Sequence, residues 1–282
     1  MRRPRKRCTL IFLFLATAGV ISAQQISWES SIDWARGELR LVAEAPIDRS
    51  GANAPAAAHR AEQEIQSELA AEVVNALLPL RIDSRETLAG ELQREPSLYG
   101  RLASLADNVE RLITRPDRSL SRLQVTYRLD LFPGLPPLLL RDDLPLPFRR
   151  ILGWIPAGSY TGVVIYAAEP LPIHGTELRS TIVPALLPEI FDENMETVLS
   201  REQLEVEWME RWGVAAYTDS LDLSDFTERV GQNPKRILAR RLFGVSPTDI
   251  VISNADAREL LATEGNRRLL REGRILIVTP TD

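Results

Sequence analysis

Hydrophobic and polar positions change period several times along this 282-residue chain, and each change predicts an element. The clearest pattern is in residues 122–131. Leu123, Val125, Tyr127, Leu129 and Leu131 alternate there with Arg122, Gln124, Thr126, Arg128 and Asp130. A sustained period of two predicts a strand with one buried and one wet face, as in an antiparallel sheet. Residues 25–45 predict a β-hairpin. Ile32 and Trp34 precede the turn residues Arg36-Gly37, and Leu39, Leu41, Ala43 and Ala45 then alternate with Arg40 and Glu44. In residues 56–78 the period becomes helical. Ala61, Ile65, Leu69, Val73, Ala76 and Leu77 recur at three- and four-residue intervals, and Glu62, Gln66, Glu68 and Glu72 fall elsewhere. This is a core-facing amphipathic helix; its polar face is acidic, whereas a membrane-surface helix carries Lys and Arg there. Ser84 is placed to cap a short helix ending before Pro96. Ser97 is placed to cap another, with Leu98, Leu102, Leu105, Val109 and Leu112 on one stripe and Pro116-Asp117 as its close.

Residues 132–156 change character. Pro133, Pro136, Pro137, Pro145, Pro147 and Pro156 make a stiff extended connection, because proline fixes φ and removes a backbone donor. Beyond it, residues 160–199 hold an apolar run (162–168), a Pro- and His-containing loop, and a second apolar run (182–190). The acidic turn Asp192-Glu193-Asn194 follows. The expectation is a strand, a long loop and a hairpin. Residues 202–212 suit a helix bearing Leu204, Trp208 and Trp212, stopped by Gly213. Strands are expected at 214–217, 237–245, 249–253 and 275–278, with a helix capped by Ser253 or Asn254 between the last two. The fold class is therefore α+β, with antiparallel sheets, a long amphipathic helix in the first half, and a smaller strand/helix unit in the second. The expected organisation is a signal segment (1–23), an α+β subdomain (24–131), the proline-rich connection (132–156) and a second α+β subdomain (157–282).

Charge narrows the function. The net charge is −5, yet Arg2, Arg3, Arg5, Lys6 and Arg7 cluster at the start, so the body is more acidic still. An acidic body argues against a nucleic-acid partner, which demands a basic patch. The basic start, the apolar run 10–21 and the small residues Ser22-Ala23 read as a cleaved secretory signal, so export across the inner membrane, to the periplasm, is the expectation. Cys8 is the only cysteine. It precedes the apolar run, so the mature chain is expected to rely on core burial without disulfides.

Candidate chemistry is sparse. His59 lacks a second histidine nearby, and His174 lies in a loop with Glu169 and Glu177; both read as ordinary histidines, and no metal or cofactor is expected. No Gly-x-Ser-x-Gly elbow occurs, and nothing specific supports a Ser159–His174–Asp192 triad. Residues 153–162 lack the P-loop Lys and the dinucleotide-binding glycine spacing. Glu189, Asp192, Glu193 and the Glu202/Glu205/Glu207 group remain. Paired carboxylates can hydrolyse glycosides, so a secreted carboxylate-dependent hydrolase is the enzymatic alternative. Turn formation is the simpler use for Asp192-Glu193-Asn194. A small-ligand-binding module with an apolar pocket between the halves is a third alternative.

A family pattern accompanies these residues. Ala56-Ala57-Ala58 opens the long helix, Arg81-Ile82-Asp83-Ser84 follows it, and the alternating strand comes next. The second half carries Tyr160-Thr161-Gly162-Val163-Val164-Ile165, Pro184-Ala185-Leu186-Leu187-Pro188-Glu189-Ile190 and Asp192-Glu193-Asn194. It ends with Asp249-Ile250-Val251-Ile252-Ser253, Asp256-Ala257 and Arg274-Ile275-Leu276-Ile277-Val278. In these the chain resembles the FlgP-like bacterial envelope proteins, without the cysteine that their lipoprotein members carry after the signal. The resemblance implies a non-enzymatic structural or interaction protein, associated in some members with flagellar structures. The partners it implies are envelope or flagellar proteins and further copies of the chain. Membrane contact is left open. The expected interaction surface comprises Tyr160, Pro172, His174, Glu189, Asp192, Glu193 and Asn194.

Overall fold

The computed structural model describes residues 26–48, 53–132, 134–139, 145–151, 153 and 155–280. The signal segment expected at 1–23 lies outside the described residues, as do Pro133 and the Arg141-Asp142-Asp143 group of the connection. The α+β class expected from the sequence is the class observed.

In the first half, β1 (Ser27–Asp33) and β2 (Glu38–Pro46) form the hairpin. The long helix α1 (Ala54–Leu77) follows, then α2 (Leu88–Arg94), α3 (Leu98–Ala103), β3 (Glu110–Pro116) and β4 (Arg122–Asp130). The four strands make one antiparallel sheet in the order β1-β2-β4-β3. Register pairs Leu41 with Tyr127 and Ala43 with Val125, so the alternating apolar sets of β2 and β4 point to one side. There they meet Ala61, Ile65, Leu69 and Val73 of α1, all buried. At about 25 cal/mol per Å2, each large aliphatic buried there stabilises the fold by roughly 1.5–3 kcal/mol. Asn53 caps α1: its side chain accepts from the Ala56 amide at 3.0 Å.

The expected stripe from Leu98 to Leu112 is only half helical. The helix stops at Ala103, a 3-10 turn covers Ser104–Asn108, and Glu110 onward is a strand along β4. Pairing with β4 overrides the local three- and four-residue spacing, and Leu112 is left exposed on the sheet edge. The cap of α2 is Thr87 rather than Ser84, and its side chain accepts from the Gly90 amide at 3.2 Å.

In the second half, the strands β5 (Val163–Tyr166), β6 (Leu171–Pro172), β7 (Arg179–Ser180), β8 (Ile190–Asp192) and β9 (Thr197–Leu199) precede α4 (Val206–Trp212). Then come β10 (Ala216–Thr218), α5 (Thr227–Val230), β11 (Lys235–Leu238), β12 (Arg241–Phe243) and β13 (Asp249–Ile252). The chain closes with α6 (Asn254–Ala262), α7 (Glu264–Arg271) and β14 (Ile275–Val278). A parallel four-stranded sheet has the order β10-β14-β5-β11, and a mixed one has the order β12-β13-β8-β9. Val163, Ile165, Ile275 and Ile277 face the main core, while Val164, Leu276 and Val278 pack with Val230 of α5 on the other side. Both faces are thus covered, which is the condition for a parallel sheet and the reason its strands show no alternation. The expected strand at 237–245 is two strands in different sheets, β11 and β12.

Of the apolar run 182–190, only Ile190 lies in a strand. Ala185, Leu186 and Leu187 are buried in irregular backbone. Their amides are satisfied from afar, as buried amides must be. Leu186 and Leu187 donate to the Arg81 and Ile82 carbonyls at 2.9 and 2.7 Å. The Tyr217 hydroxyl donates to the Ala185 carbonyl at 3.0 Å and accepts from its amide at 3.1 Å. Ser246 donates to the Ser84 carbonyl, beside Gly244 at φ 107°, where a side chain would strike Ser84. These contacts join the halves, and one hydrophobic cluster runs from Leu39 through Ile65, Ile82 and Leu186 to Ile277.

Candidate functional site

The acidic turn between β8 and β9 is built around Asp192. Its side chain is buried and accepts from the amides of Asn194 and Glu196, each at 2.9 Å. Arg149, from the proline-rich connection, donates to its other oxygen at 2.9 Å and also pairs with Glu196. Glu193 and Asn254 exchange bonds reciprocally. The Glu193 amide donates to the Asn254 side chain at 3.1 Å, and the Asn254 amide donates to the Glu193 carboxylate at 3.0 Å. The carboxylate thereby sits at the start of α6, where free amides and the helix dipole favour negative charge. Asn194 accepts from the Asn254 side chain at 3.5 Å. The turn is clamped to α6 and to the connection, around a shallow cleft of about 280 Å3 lined by Arg149, Asp192, Asn194, Asn254 and Arg258.

Glu189 stands apart, at the junction of the halves. Its amide donates to the buried Asp249 carboxylate at 3.2 Å, which also accepts from the Thr248 hydroxyl at 3.0 Å. Burial, then the charges of Asp249, Glu202 and Asp83, push the Glu189 carboxyl up to about 7, against a smaller opposing pull from Arg201. Asp249 is also raised, again chiefly by burial, although Ser84, Thr248 and the Glu189 amide hydrogen-bond its charged form.

Tyr160 belongs to a third group. Its hydroxyl donates to Glu259 of α6, which also accepts from the Gly158 amide at 3.3 Å and from Lys235 at 2.6 Å. Lys235 is buried beneath the Tyr160 ring, with its nitrogen 5.5 Å from the ring centroid and 3.0 Å from Asp256. Burial pulls the Lys235 ammonium down, but the bonds to Glu259 and Asp256 outweigh it and the net shift is upward. The Glu259 carboxyl is lowered: burial opposes this, and Lys235, Tyr160 and the Gly158 amide prevail.

Pro172 and His174 lie on the small β6-β7 arm. The His174 amide donates to the Leu242 carbonyl at 2.8 Å, and its ring stands edge-on to Phe243 at 6.0 Å, in a row continued by Phe191. Arg241 approaches its Nδ1 at 3.5 Å. The residues expected to form one surface therefore sit in four groups: Asp192, Glu193 and Asn194 at the turn, Pro172 and His174 on the arm, and Glu189 and Tyr160 each apart. Arg149, Lys235, Asp249, Asn254 and Glu259 were not among the residues expected at a surface, although Asp249 and Asn254 stood in an expected strand and at an expected helix cap. Lys235 carried one usable signal, being one of two lysines in an arginine-rich chain.

Two further features are structural and spatial. Arg229 is buried and donates to the carbonyls of Gly273, Trp212 and Gly213 at 2.9, 2.8 and 3.0 Å, under the Trp212 ring. Burial pulls it down to about 9, still cationic at neutral pH. A cleft of about 690 Å3 opens between the β1-β2 turn and the carboxyl ends of β10 and β14, lined by Trp34, Arg36, Arg40, Tyr217, Asp219 and Thr279. Ile32, Ile182, Pro184 and Pro280 line it too, so its wall is part polar and part apolar, whereas a ligand module was expected to carry an apolar pocket between the halves. Among the described residues, no group of three or more His, Cys, Asp and Glu is placed to hold a metal ion. No helix among them is long and apolar enough to cross a membrane.

Comparison with known families matches each half separately. Residues 25–138 match the family model described as the N-terminal domain of Treponema pallidum Tp0624, and residues 162–281 match that of its second domain. Each half is thus similar to one Tp0624 domain, in the order of those domains. The first match takes in the four-stranded sheet with α1, and the second takes in the parallel and mixed sheets. No curated protein matches the chain. The matches carry the Tp0624 name, and neither names the FlgP-like proteins.

Proposed function

We propose that this protein is a non-enzymatic structural or interaction protein of the bacterial envelope, FlgP-like in role, working in the periplasm with flagellar or other envelope proteins. The observation that carries this reading is the use made of the polar residues. Asp192 organises a turn, Glu193 caps α6, Glu259 ties residues 158–160 to α6, and Arg229 holds three carbonyls. Each is engaged in positioning backbone, an arrangement suited to presenting a defined surface. Rigid, pre-organised surfaces bind with less ordering cost. The test is in-cell crosslinking followed by mass spectrometry of captured proteins. Repeated capture of the same envelope components supports the reading, and an exported chain that captures nothing refutes it.

One observation favours a second reading, a secreted carboxylate-dependent hydrolase. Glu189, raised to about 7 beside Asp249, has the protonation behaviour of a general acid. It lines neither of the clefts described above, however, and its neighbours satisfy a buried junction. Turnover of a glycoside panel that is abolished by Glu189→Gln would favour the hydrolase; no turnover would remove it.

A further inference from the structure

The edge strand β3 is exposed along its whole length. It carries two large apolar side chains in water, Leu112 at 40% and Ile113 at 51% exposure, and Leu120 in the adjoining turn is exposed as well. A flat run of unpaired backbone groups with exposed apolar side chains is a template for strand pairing. What distinguishes β3 is a bulge. Arg111 pairs with Tyr127 and Ile113 with Thr126, so Leu112 is an inserted residue.

The bulge changes which side chains share a face. In a regular strand, Glu110 and Arg115 are an odd number of residues apart and point oppositely. With Leu112 inserted, Glu110 pairs with Arg128, Ile113 with Thr126 and Arg115 with Gln124, all on the face away from α1. Contacts agree: Glu110 binds Arg128 at 2.5 Å and Arg115 binds Gln124 at 2.8 Å, whereas Arg111 turns to the other side and pairs with Glu62 of α1. The open face of β3 thus reads acid, isoleucine, base.

That order is self-complementary. If a second β3 runs antiparallel with the two-fold axis at Ile113, and each Arg111–Leu112 bulge fills one position, Ile113 meets Ile113 of the partner subunit. Glu110 then meets Arg115 of the partner subunit, and Arg115 meets Glu110 of the partner subunit. The same residues serve both copies, as a two-fold interface requires. The opposite edge does not offer this: β1 carries Glu29 and Asp33 and no basic residue. We infer that β3 is the self-pairing edge of this protein, joining two copies antiparallel at Ile113 into one continuous sheet. The inference rests on the assembly reading above and specifies its partner as a second copy. A bulge with flanking charges also serves to blunt an edge, and that alternative predicts a monomer.

The experiment is sedimentation velocity over a wide concentration range, with charge variants and a disulfide trap. The unmodified protein should dimerise. Glu110→Arg or Arg115→Glu alone places like charges opposite each other at both ends of the pairing and should weaken dimerisation about tenfold. The double variant exchanges the charges and should restore it to within about threefold. In a Cys8→Ser background, Ile113→Cys should form a disulfide dimer on oxidation, since directly opposed residues lie about 4.5–5.5 Å apart. Thr114→Cys, off the axis, should not. A monomer at every concentration, or a dimer indifferent to the charge exchange and untrapped by Ile113→Cys, overturns the self-pairing. Either result leaves the assembly reading intact, because that reading fails only if crosslinked cells yield no partner through any surface.

Discussion

Glu189→Gln isolates the electrostatics of the junction between the halves. The Glu189 carboxyl is held at about 7 in the fold against 4.5 for the free side chain, first by burial and then by Asp249, Glu202 and Asp83, with Arg201 opposing. The folded state therefore binds a proton more tightly than the unfolded state between those values. Stability follows the difference in bound protons, so this group's contribution is full at and below pH 4.5 and is lost as pH rises to about 7. The displacement corresponds to about 3 kcal/mol at most. Glu189 is only partly buried, and solvent screening reduces this to about 1–2 kcal/mol. Glutamine keeps the shape and removes the charge. At pH 8 the variant should be more stable than the parent by about 1–2 kcal/mol. Near pH 4.5 the two should agree within about 0.5 kcal/mol. Urea unfolding at both pH values measures this, with midpoints converted through a common slope. Asp249 is raised in the same direction, so both proteins should keep a residual pH dependence at lower pH. Equal pH slopes between pH 5 and 8 for parent and variant would show that Glu189 ionises normally and that the junction is not an acid-strained contact.

Other perturbations test other joints of the structure. Arg149→Ala leaves the buried Asp192 carboxylate without its cation and should cost about 2–4 kcal/mol in urea unfolding, whereas Asp192→Asn, which keeps an acceptor for the turn amides, should cost about 1 kcal/mol. Ile65→Ala opens a cavity between α1 and the first sheet and should cost about 2–5 kcal/mol. Lys235→Met leaves Asp256 and Glu259 facing each other without their shared cation. It should raise the Glu259 carboxyl, visible by carboxyl NMR titration, lower stability at neutral pH, and shrink the part of the stability that is lost on acidification below the free carboxyl's range.

How much was legible in the sequence depends on where each residue's partners lie. The strand at Arg122–Asp130 and helix α1 bury one face each, so their patterns carried the information alone. The strands at Val163–Tyr166 and Ile275–Val278 were readable as apolar runs, but their parallel pairing was not, because both faces are covered and four apolar residues in a row have no period. Residues 110–116 continued a helical spacing and became a strand only because β4 was available to pair. The apolar run at 182–190 looked like a strand, yet its amides bond to residues 81 and 82 and to the Tyr217 hydroxyl, partners no local pattern reveals. The same holds for the candidate surface. Asp192-Glu193-Asn194 was readable as turn chemistry, while Arg149 and Asn254, which fix that turn, lie far along the chain.

If the protein assembles with envelope partners, photo-crosslinking in living cells should capture them. A photoreactive residue would replace Ile113 on the β3 edge, Leu178 on the β6-β7 arm, or Glu193 at the hairpin turn, each exposed. Discrete adducts are expected: a self-adduct from Ile113 and adducts with envelope or flagellar proteins from at least one other position. An exported chain that stays a monomer, with no adduct from any of these positions, would contradict such assembly.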